Sequence, residues 1–148
     1  MRDPKWLNQR AVEYLDEYRN AQTHMNIPHT APQTKQRWKP PPSQLYKLNF
    51  GAAVFAGIQR SGFGVVIKNS VGELMAAMSV KGPLVSCSEE AEALACRKAL
   101  EFAMESSFAE LIIEGDNVAV MNTVASTSGD FSLLGHVYED IKCNIRGL

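Results

Sequence analysis

The chain has 148 residues, of which 45% are apolar and 21% charged, with a formal net charge of −1. That describes one domain plus an extension, with enough apolar content for a core and a charged fraction suited to a soluble protein. It excludes a membrane-spanning chain, because no apolar run approaches the roughly 18 residues a span needs.

The N-terminus, MRDPKWLNQR, has no apolar signal region, so an intracellular protein of nucleus or cytoplasm is expected and a secreted one is not. Cys87, Cys96 and Cys143 are odd in number and contain no CxxC pair, which points to reduced thiols and away from a disulfide or zinc framework. The net charge hides an asymmetry. Residues 1–72 hold ten Lys/Arg against four Asp/Glu, and residues 73–148 hold five against twelve. No acid stands between Glu17 and Glu73. A basic half is suited to phosphates, and it is equally the composition of a linker that happens to be basic.

In chain order, Asp3-Pro4 reads as an N-cap with proline at the first helical position. Trp6, Leu7, Ala11, Tyr14, Leu15 and Tyr18 then form an apolar stripe, so residues 1–22 are an N-terminal helical extension. Residues 23–44 carry Pro28, Pro32, Pro40, Pro41 and Pro42 among polar residues and read as an extended linker. His24 and His29 have no Cys, Asp or Glu near them, which argues against a metal role. The domain occupies residues 45–148. Its first strand runs from Tyr46 through Phe55, a polar turn follows at Gln59-Arg60-Ser61, and Gly64–Ile67 is the second strand. After a turn at Asn69–Gly72, Leu74–Val80 is the third, and three strands on short turns predict an antiparallel meander.

Ser86 and Glu89 have the spacing of a capping box, and Ala91, Leu94, Ala95, Ala99, Leu100 and Ala103 follow at helical period. Ser106-Ser107 stops that helix, and Glu110–Glu114 is short, β-branched and strand-like. A short helix from Val118, a loop at Ser126–Asp130 and a last helix marked by Leu133, Leu134, Val137, Ile141 and Ile145 complete an order of β-β-β-α-β-α-α. Gly62-x-Gly64 does not precede a helix and so is no nucleotide loop. Two acids stand out. Glu92 lies in the Ala-rich part of the helix, either as a solvated helix acid or as a site residue. Asp116 follows a strand end, where open α/β sheets carry their chemistry, and reads equally as a helix N-cap.

This order, with an acid in the first helix after three strands and another at the end of strand four, resembles the RNase H fold. Trp38-Lys-Pro-Pro-Pro42, Lys47-Leu-Asn-Phe50, Gly62–Asn69, Gly72, Ala91-Glu-Ala93 and Ile113-Glu-Gly-Asp116 resemble the RNase H-like domain of plant non-LTR retroelement reverse transcriptases and their stand-alone relatives. The resemblance covers Trp38 to Leu148, and the N-terminal helix resembles the segment preceding that domain. It implies an α/β RNase H-like fold, with three antiparallel strands, a helix, a parallel strand four and helices, truncated before strand five. It also implies hydrolysis of the RNA strand of an RNA–DNA hybrid, with four carboxylates holding two divalent ions, Mg2+ or Mn2+.

Carried over by motif, the second and third carboxylates are Glu92 and Asp116, while Gly51 stands where the first Asp is expected and the fourth would follow the missing strand. Two such ions about 4 Å apart repel by roughly 17 kcal/mol at an effective dielectric of 20, and two carboxylates balance only half their charge. The expectation is therefore a degenerate, retroelement-derived member with weak or no nuclease activity. An active hybrid nuclease completed from outside and a non-catalytic nucleic-acid-binding or interaction module are the alternatives. Lys47, Arg60 and Lys68 read either as contacts to nucleic-acid phosphates or as solvated charges.

Overall fold

The computed structural model describes residues 38–55, 57, 60–130 and 132–148, and before them only Gln9, Val12, Glu13 and Asp16. Two compact units divide the chain, Met1–Arg37 and Trp38–Leu148. In the first, the four described residues are helical, and the Gln9 side-chain amide donates to Glu13 at 3.3 Å. The Asp3-Pro4 start, the whole apolar stripe, His24 and His29, and the prolines up to Pro32 lie outside the described residues.

The second unit follows the expected order: β1 (Tyr46–Phe55), β2 (Arg60–Lys68), β3 (Leu74–Gly82), α1 (Ser88–Glu105), β4 (Leu111–Glu114), α2 (Val118–Ala125) and α3 (Gly135–Arg146). The sheet order is β3-β2-β1-β4. β1 and β2 pair antiparallel from Lys47↔Lys68 to Phe55↔Arg60, and β3 continues the meander. β4 lies parallel to β1, with Tyr46 opposite Leu111 and Asn49 opposite Glu114. This is the RNase H-like arrangement of strands, with three helices.

Alternation along the strands sends Leu48 and Phe50, and on β2 Phe63, Val65 and Ile67, to one face, where all five are buried. α1 covers that face through Ala93, Ala95, Ala99, Leu100 and Ala103, and Val137, Tyr138 and Ile141 of α3 complete the core. Alanines let the helix approach the sheet closely, and that proximity brings Glu92 to β1. The opposite face carries Gly51, Ala53, Gly64, Ala77 and Ser79, small side chains or none.

Three local readings differ from the sequence expectation. The helix N-cap is Cys87, which makes no side-chain cap bond. Glu90, three residues on, accepts from both the amide and the hydroxyl of Ser86 at 2.6 Å, while Glu89 accepts from the Tyr138 hydroxyl at 3.2 Å. No capping box forms: Glu90 holds Ser86, the residue before the N-cap, and Glu89 is engaged by α3 instead. β2 also begins at Arg60 and not Gly64, since the ladder to β1 continues and the buried Ser61 hydroxyl finds the Pro83 carbonyl at 2.6 Å. Finally, Trp38–Gln44 groups with the second unit, although the sequence boundary falls after residue 44. The Lys39 carbonyl accepts from the Lys47 ammonium at 2.6 Å, which ties this segment to β1.

Gly115 turns the chain immediately past β4, and a Cβ there would lie 2.4 Å from Phe50 Cζ. At Gly51 a Cβ meets nothing within 4 Å. Gly115→Ala should therefore lower stability by about 1–3 kcal/mol through overpacking, while Gly51→Ala stays within about 0.5 kcal/mol of wild type. Urea unfolding of the two variants checks the contrast.

Candidate functional site

β1 has ten residues and β4 only four, so β1 runs on alone past Asn49. The Tyr46 amide bonds the Glu110 carbonyl on the β4 side, and every second amide along β1 points the same way. By that alternation the Ala52 amide points to where β4 would be, beyond its end. Glu92 Oε1 accepts from it at 3.1 Å. The carboxylate of α1 thus substitutes for the missing strand. Glu92 is only 6% exposed, and its second oxygen, Oε2, is buried with no hydrogen-bond partner.

Asp116 follows the Gly115 turn and is exposed, and it lines the same cleft as Glu92, Gly51 and Ala52. It is not the cap of α2. Asn117 is, its side chain accepting from the Val120 amide at 3.1 Å. The structure therefore brings Glu92 and Asp116 together beside Gly51, and neither has the bland role open to it in the sequence. Burial pushes the Glu92 carboxyl above its ordinary pKa, the Ala52 amide pulls it back, and the Asp116 charge adds to the rise.

A third carboxylate, Glu114, is nearby in sequence but occupied. Its Oε1 accepts from Lys47 Nζ at 2.6 Å and its Oε2 from the Asn49 amide at 3.0 Å. Burial alone would raise its pKa, but the bonds from Lys47 and Asn49 and the Lys47 charge outweigh it and hold the group below the ordinary value. Sequence reading passed over this pair, because the two residues lie on strands 67 positions apart and only the parallel β1–β4 register makes them neighbours.

Of the basic candidates, Lys47 is buried, bound to Glu114 and the Lys39 carbonyl, and 5.4 Å from the Trp38 ring centroid. It is committed to structure and does not face phosphate. Lys68 is partly buried with its ammonium 5.1 Å from the same ring. Arg60 is exposed and lines the cleft of Glu92 and Asp116, where Lys81 joins it unforeseen.

The residues present do not fit a two-ion centre. Among the described residues no group of three or more His, Cys, Asp or Glu side chains comes together in a way that could hold a metal ion. Gly51 offers no donor, and Glu114 is held by a lysine. No step through a metal follows from this set of donors.

The fold defines an RNase H-like domain. The sequence profile of the reverse transcriptase-like family matches residues 49–146, and the chain belongs to that family. Comparison with curated protein sequences gave no match. Among solved structures, RNase H1 from the halophilic archaeon Halobacterium salinarum NRC-1 is similar with a TM-score of 0.62 at 18% identity, covering 70% of this chain and 78% of that one. LC11-RNase H1 in complex with an RNA/DNA hybrid has a TM-score of 0.57 at 15% identity, covering 69% and 77%. The foamy viral protease-reverse transcriptase, also with an RNA/DNA hybrid, has a TM-score of 0.54 at 17% identity, covering 82% of this chain and 18% of that one. At these identities the likeness is one of fold. No helix among the described residues is long and apolar enough to cross a membrane.

The raised Glu92 pKa makes a stability prediction with a definite sign. Well below about pH 4.3 both folded and unfolded chains carry a neutral Glu92, and it contributes no difference. As pH rises the unfolded chain ionises first, so stability falls until the folded pKa is passed and then levels. Glu92→Gln has no proton to lose. It should be more stable than wild type at pH 7 and indistinguishable at pH 4, measured by denaturant unfolding at both values.

Proposed function

We propose that this chain is a retroelement-derived RNase H-like domain that binds nucleic acid, an RNA–DNA hybrid first, with little or no hydrolysis. The observation that carries this reading is the pairing of Glu92 and Asp116 in one cleft with a bare Gly51 beside them. The cleft keeps the location at which open α/β sheets bind ligands, outside the carboxyl ends of parallel strands. It lacks the ligand set that would balance two divalent ions, since its acidic end supplies −2 against +4. Membership of the reverse transcriptase-like family and likeness to proteins seen with hybrids support hybrid as the ligand.

Its residues still divide the work of binding. Arg60 and Lys81 are exposed cations at one end of the cleft, placed to meet a phosphate backbone. Affinity from such contacts falls with salt, because each neutralised phosphate releases counterions. Glu92 is rigidly placed by the Ala52 amide and by its position on α1, whereas Asp116 sits on an exposed turn.

The test is a labelled-hybrid assay with Mg2+ or Mn2+, run beside the double variant Glu92→Gln, Asp116→Asn. Wild type should cleave no faster than that control while binding hybrid with a clear salt dependence. Gly51→Asp, which the open space at Gly51 admits, raises the local charge from −2 to −3 and should strengthen metal binding more than turnover. Robust cleavage by wild type, lost in Glu92→Gln, would establish instead a nuclease whose metal site is completed by its substrate or a partner.

A further inference from the structure

The cleft beside Glu92 extends well past the acids. It measures about 760 Å³ and runs along β1 and β2 from Gly51 toward Phe55 and Arg60, with Ser61 and Phe63 also in its lining. Its floor is almost bare. Gly51 and Gly64 are directly paired, Gly64 pairs onward with Ser79, and Cβ atoms at the two glycines would meet nothing within 4 Å. Ala53 and Gly62 continue that floor, and the half-exposed ring of Phe55 borders Gly62.

The two ends carry opposite charge. Phe55 pairs with Arg60 and Gly62 with Lys81, so Arg60 and Lys81 are diagonal neighbours on one face, roughly 7–8 Å apart at the backbone. Neither has an acidic partner among the described residues. The position between them lies about three residues along β1 from Gly51, about 10 Å at strand rise. At the other end Glu92, more than nine-tenths buried, holds an oxygen with no donor.

We infer that this cleft is a metal-independent binding site for a nucleoside phosphate, with the phosphate between Arg60 and Lys81, the planar base on the Gly51–Gly64 floor, and a donor of the base or sugar serving Glu92. This deepens the nucleic-acid reading and rests on it. A phosphate needs the cations, which a two-ion centre would not require at this distance from its acids. A flat ring resting on strand backbone needs residues without side chains, and three of the floor positions are glycine. A donor is needed because an unsatisfied buried oxygen is destabilising until something bonds it. The spacing from phosphate to donor is within the reach of one nucleotide. The same chemistry is presented by a free mononucleotide and by the terminal nucleotide of a strand.

The experiment is calorimetric titration of the full chain with adenosine 5′-monophosphate, in EDTA and again in magnesium. Equal affinity in both is expected, with adenosine and ribose 5-phosphate each at least tenfold weaker. Arg60→Ala and Lys81→Ala should each weaken binding fivefold or more. Gly64→Val, whose side chain enters open space, should block binding at an unchanged melting temperature. A 5′-phosphorylated trinucleotide separates the sources: tighter binding than the mononucleotide assigns the site to a strand end, weaker binding to a free nucleotide. No binding in EDTA, or binding that the Arg60→Ala, Lys81→Ala double variant leaves intact, overturns the proposal. Hybrid binding measured in parallel keeps the broader reading separate, since hybrid affinity without mononucleotide affinity removes this site alone.

Discussion

The bond from the Ala52 amide to Glu92 exists because β1 outruns its parallel partner. A strand that continues alone leaves amides on its open side, and each such donor must find an acceptor or water. The open side here faces α1, whose alanines bring the helix axis close to the sheet. The donor available at that point is met by a carboxylate, and the carboxylate is thereby buried. Gly115 belongs to the same constraint: the chain leaves β4 so close to Phe50 that no side chain fits. Strand mismatch, helix approach and tight exit together fix where the cleft opens.

Glu92 and Glu114 show what burial does to a carboxylate under two different sets of neighbours. Glu114 has both oxygens bonded, one by an ammonium, and its ionised form is favoured. Glu92 has one oxygen bonded by a neutral amide, one orphaned, and a second acid acting on it, so ionisation is disfavoured. A group held in its less comfortable state does not serve stability. Carboxylates perturbed in this way recur where ligands bind, and the proposed binding role of Glu92 draws on that contrast with Glu114.

The element order was legible because it rests on local pattern: alternation in β1, an Ala-rich helical period, and β-branched residues in β4; the parallel return of β4 followed from the resemblance to the RNase H fold. That Glu92 and Asp116 line one cleft was legible through the resemblance to a known set. What escaped reading depends on long-range register. Lys47 looked like a free cation until Glu114 came to stand beside it, and Lys81 drew no notice because its neighbour Arg60 is reached only through the β2–β3 ladder. The expected capping box is absent for a similar reason, since Glu89 accepts from Tyr138, 49 positions away.

Gly51 changes more than the count of metal ligands. An acid there would put a third negative charge beside Glu92 and Asp116 and would stand over the floor shared with Gly64. Without it, the acidic end carries two carboxylates and the far end carries two cations. The field along the cleft then runs from negative at the acids to positive at Arg60 and Lys81, which suits a phosphate at the far end better than a pair of cations at the near one. Electrostatics of this kind acts over the whole length of a low-dielectric groove. A single missing side chain therefore alters both the shape and the sign of what the cleft accepts, while the hydrogen bond that places Glu92 stays intact because its donor is backbone and independent of the residue at 51.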